Sequence, residues 1–194
     1  MFTSLKHLTL GGCCALTLGL GQSVDALAGA GYGGPYGFGS PASAADIAEV
    51  DIDVMPDGRG APPGQGTYAE GQKVYEERCA ACHSEDLSAP VAGTGADALA
   101  GGRESLASES PKKTVESYWP YASTLFDFTK RAMPFDAPGS LSDDEVYAVM
   151  AYILAETKII DKNTVMNAEA IADVKMPNRD GFVSDPRPDI FNYE

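Results

Sequence analysis

One pentapeptide constrains this chain more than any other feature: Cys79-Ala80-Ala81-Cys82-His83, the C-x-x-C-H spacing of c-type haem attachment. The two thiols reach the porphyrin vinyl groups as thioethers, and the adjacent imidazole is then held beneath the iron as its proximal ligand. A zinc site fits poorly. It needs further ligands, and the remaining cysteines and histidine, Cys13, Cys14 and His7, lie at the extreme N-terminus. A thioredoxin-like dithiol fits no better, because it calls for a strand and a βαβ pattern around the motif, whereas residues 71–79 read as helix.

The N-terminus indicates the compartment. Lys6 and His7 precede an apolar run from Leu8 to Leu20, and Ala26-Leu27-Ala28 has the A-x-A form of a cleavage site, so residues 1–28 read as a secretory signal peptide and the protein as periplasmic. The run is short for a membrane span, and no later segment is long and apolar enough to be one. A lipid anchor on Cys13, suggested by Leu10-Gly11-Gly12-Cys13, would leave almost no apolar core before the cysteine. Cleavage would remove His7, Cys13 and Cys14, leaving no second histidine or free cysteine as sixth iron ligand. Methionine is then the expected sixth ligand.

Of the methionines that remain, Met150 falls in the apolar stripe of a helix, Met55 precedes the haem motif and Met166 lies in the tail. Met133-Pro134 and Met176-Pro177 are the two contenders, since a following proline biases a residue towards extended backbone and suits a side chain delivered from a loop. Met133 is favoured because it lies between the haem motif and the last core helix, whereas Met176 lies beyond that helix in a polar tail. Arg103 and Trp119 are candidate donors to the haem propionates by residue type alone.

Residues 29–45 are rich in Gly, Ala, Pro and Ser and read as a flexible linker. Val50, Ile52 and Val54 alternate with acidic residues, so residues 46–66 read as an extended lead-in with a turn at Pro56-Asp57-Gly58. Helical spacing starts at Thr67, whose capping box with Glu70 leads through Gly71, Val74 and Tyr75 into Cys79. Gly71 is costly inside a helix unless another element comes close, and a crossing helix is expected there, with Tyr75 and Tyr152 beside the contact. That partner helix spans residues 142–157. It has a capping box from Ser142 to Glu145 and an apolar face of Val146, Val149, Met150, Ile153 and Leu154. Between them Pro120 opens a helix to Ala132, with Leu125 and Phe128 expected to face inward and Trp119 and Phe126 to contact core or porphyrin. Residues 67–157 form the monohaem domain. Residues 158–194 form a tail, with a short helix at Asn167–Ile171, that packs on the domain or on a partner.

The chain carries 14 Lys and Arg against 28 Asp and Glu, a net charge of −14 that the loss of Lys6 and Asp25 with residues 1–28 leaves unchanged. Nucleic acid is excluded as a partner, and a basic patch on a redox protein is favoured. Lys130-Arg131 beside Met133 is a local exception in the sequence.

The haem-motif helix, the methionine loop and the final helix crossing near Gly71 together resemble class I cytochromes c. The resemblance implies an all-α fold of helices around one covalent haem c, with extended N- and C-terminal segments. Gly101-Gly102-Arg103, Tyr118-Trp119-Pro120-Tyr121-Ala122, Thr124-Leu125-Phe126-Asp127, Arg131-Ala132-Met133-Pro134, the segment Leu141–Ala148 and Met176-Pro177-Asn178-Arg179-Asp180-Gly181-Phe182 are similar to the SoxD-type cytochrome subunits of bacterial sulfane and sulfite dehydrogenases. Ser84 stands where a glycine is frequent in that family, and SoxD chains are commonly longer. The likeness implies a molybdenum-containing sulfur dehydrogenase subunit as electron donor and another cytochrome c as downstream acceptor. By itself the chain would be an electron-transfer protein and a subunit of an oxidoreductase. A general shuttle cytochrome, or a haem enzyme or gas sensor with an open iron site, is the alternative.

Overall fold

A computed structural model describes residues 39–185; the expected signal peptide at 1–28 and the linker up to residue 38 lie outside the described residues. Six helices, α1 (Ala44–Val50), α2 (Tyr68–Arg78), α3 (Ala80–His83), α4 (Ala122–Ala132), α5 (Asp143–Glu156) and α6 (Ala168–Asp173), are joined by loops and one antiparallel pair of short strands, β1 (Gln65–Gly66) and β2 (Met166–Asn167). None of the helices among the described residues is long and apolar enough to cross a membrane.

Both long capping boxes form as the sequence indicates. The Thr67 side chain accepts from the Glu70 amide while the Glu70 carboxylate accepts from the Thr67 amide, and Ser142 and Glu145 do the same at the start of α5. These reciprocal bonds satisfy amides that a helix start otherwise leaves without partners, and they fix where each helix begins. Asp143, Asp144 and Glu145 in the first turn of α5 also face the positive end of its dipole.

α5 is the central element. Every residue from Val146 to Ala155 is buried, so the helix is enclosed on all sides, and its apolar stripe is only the most visible part of its burial. It packs on α2, α4, β1 and β2. Its closest approach is to α2 at Gly71, where a Cβ would lie 1.8 Å from the Ala148 carbonyl oxygen; at Gly66 a Cβ would lie 2.1 Å from the Ala148 amide nitrogen. The expected aromatic contact is present: the Tyr75 and Tyr152 rings are 5.0 Å apart, with Tyr68 5.3 Å beyond Tyr152.

Two expectations need correction. Residues 46–50 are helical and not extended, because Ala44-Ala45-Asp46-Ile47-Ala48-Glu49-Val50 combines strong helix formers with an acidic first turn. Phe128 is 46 % exposed and does not face the core. The inward stripe of α4 is Ala122, Leu125, Phe126 and Thr129, at spacings of three and four residues, which leaves Phe128 on the flank in a T-shaped contact with Trp119. Phe126 is fully buried on Tyr147, with ring centroids 4.8 Å apart.

The tail joins the same core. β2 pairs with β1 in the register Gln65 to Asn167 and Gly66 to Met166, and the Asn167 side chain caps α6 by accepting from the Ala170 amide. Met166, Ile171, Val174 and Met176 are all buried.

Replacing Gly71 by Ala places a methyl group on backbone that cannot yield, so the haem-loaded protein should lose at least the ~1–3 kcal/mol typical of overpacking, seen as a lower guanidinium midpoint. The capping box supplies a pH dependence. The Ser142 amide and hydroxyl hold the Glu145 carboxyl below its ordinary value of 4.5. Its contribution is therefore present above that value and lost as pH falls through the lower folded-state pKa. Glu145→Gln should flatten this acid limb in unfolding curves taken from neutral pH down to the onset of acid denaturation.

Candidate haem site

α2 ends at Cys79, where the backbone leaves helical geometry with φ −123° and ψ −39°, and the single turn of α3 then carries Cys82 and His83. The last bonds of α2 and the first of α3 share this corner: the Cys79 amide donates to the Tyr75 carbonyl at 2.9 Å, and the His83 amide to the Cys79 carbonyl at 3.0 Å. Both motif cysteines carry free thiols, Cys79 half-buried and Cys82 exposed. Burial pushes the Cys79 thiol up to about 11. The thiol is protonated at neutral pH, unlike the depressed thiolate of a thiol-disulfide enzyme.

His83 is oriented by a backbone group. Its Nδ1 lies 2.8 Å from the Asp97 carbonyl oxygen. A carbonyl only accepts, so Nδ1 holds the proton and the lone pair is on Nε2, the form required of a metal-binding imidazole. The loop that carries this carbonyl is fastened next to the motif, since the amides of Leu99 and Ala100 donate to the Leu87 carbonyl at 2.8 and 3.0 Å.

Ser84, directly after His83, has φ 63°, a left-handed conformation that explains why glycine suits this position. Two contacts hold the serine there. The buried Tyr75 hydroxyl donates to the Ser84 carbonyl at 2.8 Å, and the Ser84 hydroxyl donates to Asp86 at 2.8 Å. Asp86 also accepts from the amide and hydroxyl of Ser88, and the Ser84 bond first, with those from Ser88, holds its carboxyl below the ordinary range.

Met133 is the C-cap of α4, with extended backbone at φ −120° and ψ 149°, as the following proline dictates. Its loop is stapled at the far end by Lys130, whose ammonium donates to the Leu141 carbonyl at 2.9 Å and pairs with Asp143 at 2.7 Å. Arg78, the residue before Cys79, donates to Ser140 in the same loop at 2.8 Å. The haem-motif arm and the Met133 loop are thus tied directly together. Met133 is half-buried, whereas Met176 is 3 % exposed and packed in the core with Ile171 and Val174.

Arg103 forms an ion pair with Glu116 at 2.7 Å and donates to the Thr157 carbonyl. Trp119 is half-buried, and its indole N–H has no hydrogen-bond partner among the described residues. Arg131 is held by Asp127 at 3.0 Å and Asp53 at 2.6 Å, so Lys130 and Arg131, both paired with carboxylates, leave no excess of positive charge beside Met133. Two free thiols, an imidazole with its Nε2 lone pair available, and Cys79, Ala80, Leu99, Ala100 and Trp119 packed part-buried on the core form a donor and apolar set suited to covalent haem.

The Tyr75–Ser84 and Arg78–Ser140 bonds were not legible in the sequence. Their only local signal was the replacement of glycine by serine at position 84.

Comparison with known proteins agrees with this geometry. The family model described as cytochrome c matches residues 68–156. A chain in the crystal structure of the sulfane dehydrogenase SoxCD from Paracoccus pantotrophus superposes with a TM-score of 0.70 at 36 % identity, over 82 % of this chain and 79 % of that one. A thiosulfate dehydrogenase from Stutzerimonas stutzeri (strain A1501) is 27 % identical over 121 residues, 62 % of this chain and 37 % of the relative, so the chain spans little more than a third of that protein's length. With its helices, its C-x-x-C-H corner and these likenesses in agreement, the chain belongs to the cytochrome c family, whose cofactor, covalent haem c, is the group for which Cys79 and Cys82 are spaced.

Proposed function

We propose that this protein is a periplasmic monohaem cytochrome that carries single electrons as the cytochrome subunit or acceptor of a molybdenum-containing sulfur-compound dehydrogenase, and passes them to another cytochrome c. The observation that carries this reading is the likeness, at 36 % identity over 82 % of the chain, to a chain of a sulfane dehydrogenase structure. The thiosulfate dehydrogenase relative points to the same class of substrate. The Lys6-to-Ala28 leader pattern supports export.

In this reading Cys79 and Cys82 would hold the haem as thioethers, and His83 and Met133 would be its iron ligands. The haem supplies one-electron redox chemistry. The residues determine how it is used. His83, held by the Asp97 carbonyl, offers Nε2 in a fixed direction. Met133, held by its cap geometry and the Lys130 staple, would supply the second iron ligand, so that the haem would serve electron transfer and not substrate binding. Methionine ligation and burial favour the reduced state and raise the potential, as suits an acceptor from a dehydrogenase. Trp119 would offer its indole N–H, and Arg103 the donors not used by Glu116 and Thr157, to the haem propionates.

Met133→Ala should abolish the low-spin His/Met spectrum and lower the potential by a part of the ~0.8 V range that axial ligands command. Met176→Ala should keep the spectrum and lose stability by about 2–5 kcal/mol, the cost of emptying a buried methionine site. The opposite pattern of spectra would reassign the ligand. Ferric protein mixed anaerobically with a molybdenum sulfur dehydrogenase from the same cells should be reduced rapidly on adding sulfite or thiosulfate, and more slowly as salt rises if a basic patch docks on the acidic surface. Failure of reduction, in protein that dithionite does reduce, would leave a general shuttle cytochrome.

A further inference from the structure

Three side chains of the tail motif Met176-Pro177-Asn178-Arg179-Asp180-Gly181-Phe182 converge on one short segment. Asn178 Nδ2 donates to the Tyr118 carbonyl at 2.7 Å. The Arg179 guanidinium lies 4.3 Å from the centroid of the Tyr121 ring, and Phe182 meets the Tyr118 ring edge-on at 5.3 Å. Between the two gripped tyrosines lie Trp119 and Pro120.

The strap is firmly anchored. Met176 is buried in the core, and two turns shape the residues after it, with the Arg179 amide donating to the Met176 carbonyl at 3.1 Å and the Gly181 amide to the Asn178 carbonyl at 3.2 Å. Gly181 is needed for the grip, because a Cβ there would lie 1.8 Å from Asn178 Oδ1 and displace the amide that binds Tyr118. Trp119 itself meets Phe128 of α4 in a T-shaped contact at 5.7 Å and packs part-buried against the core.

We propose that Asn178, Arg179 and Phe182 are positioning residues that clamp the segment Tyr118–Tyr121 from both ends and so fix Trp119 against the haem. This rests on the reading of Trp119 as a haem contact, and the test separates the two. Nearby haem quenches indole emission by energy transfer, and Trp119 is the sole tryptophan of the chain, so its emission reports this one distance and orientation.

The experiment compares Trp119 emission of the haem-loaded, full-length protein in native buffer and in guanidinium, for wild type, the double variant Asn178→Ala with Arg179→Ala, and Gly181→Ala. The wild type should be strongly quenched when native. Both variants should show a several-fold rise in native emission and a shifted reduction potential with unchanged far-ultraviolet circular dichroism, and Arg179→Lys alone should retain most of the quenching. Quenching and potential unchanged in folded variants overturn the clamp while leaving the haem contact intact. A native wild type that emits as strongly as the unfolded chain removes Trp119 from the haem and the proposal with it.

Discussion

The contact between α2 and α5 is the constraint on which the rest depends. Gly71 of α2 and Gly66 of β1, just before it, both lie against Ala148, so this stretch approaches α5 at backbone distance. Such closeness excludes water and brings Tyr75, Tyr152 and Tyr68 into ring contact beside the crossing. It also fixes the direction in which α2 delivers Cys79. α4 packs on the same central helix, so the arm that carries His83 and the arm that carries Met133 share one rigid support. His83 and Met133 are far apart in sequence, yet the helices that carry them, α2 with α3 and α4, meet at the one core that α5 builds.

What the crossing does not set, backbone hydrogen bonds do. Met133 takes its conformation from the proline after it, and its loop is tied at the Lys130 and Ser140 contacts. His83 takes its tautomer from the Asp97 carbonyl, and that carbonyl belongs to a loop bound to Leu87. Leu87 itself is buried with φ 60°, so like Ser84 it occupies a conformation that only surrounding contacts sustain. Asp86, between the two, accepts from Ser84 and Ser88. Two strained residues on either side of one multiply bonded carboxylate are a structural answer to the missing glycine: the serine adopts the required backbone because its side chain and its carbonyl both have partners.

The helices were legible in sequence because their signals are local. Capping boxes, a glycine inside a helix and an apolar stripe each depend on residues within a few positions, and α2 and α5 fall close to where those signals place them. The extended lead-in was misread because alternation over Val50, Ile52 and Val54 is too short to outweigh the Ala-rich run before it. Phe128 was misread because two of the residues near it, Leu125 and Phe126, compete for the same inward stripe, and spacing alone does not say which aromatic is turned out. The tail reads as polar, and the sequence leaves open whether it packs on the domain or on a partner, because its buried side chains are dispersed one by one and only pairing of β2 with β1 brings them to the core. That pairing spans about half the chain, and no window of sequence contains it.

Charge distribution obeys the same division between local and assembled information. Lys130-Arg131 stood out in sequence as a basic pair near Met133, but the fold surrounds it with Asp53, Asp127 and Asp143. Those carboxylates come from three separate stretches of chain, and together they return the surface near the Met133 loop to the acidic character of the whole. Exposed ion pairs of this kind contribute little to stability. Their larger effect is on the field that a partner meets, since neutralising this basic pair leaves the net charge of −14 without a local exception at this loop. A partner that approaches here therefore meets no excess of positive charge.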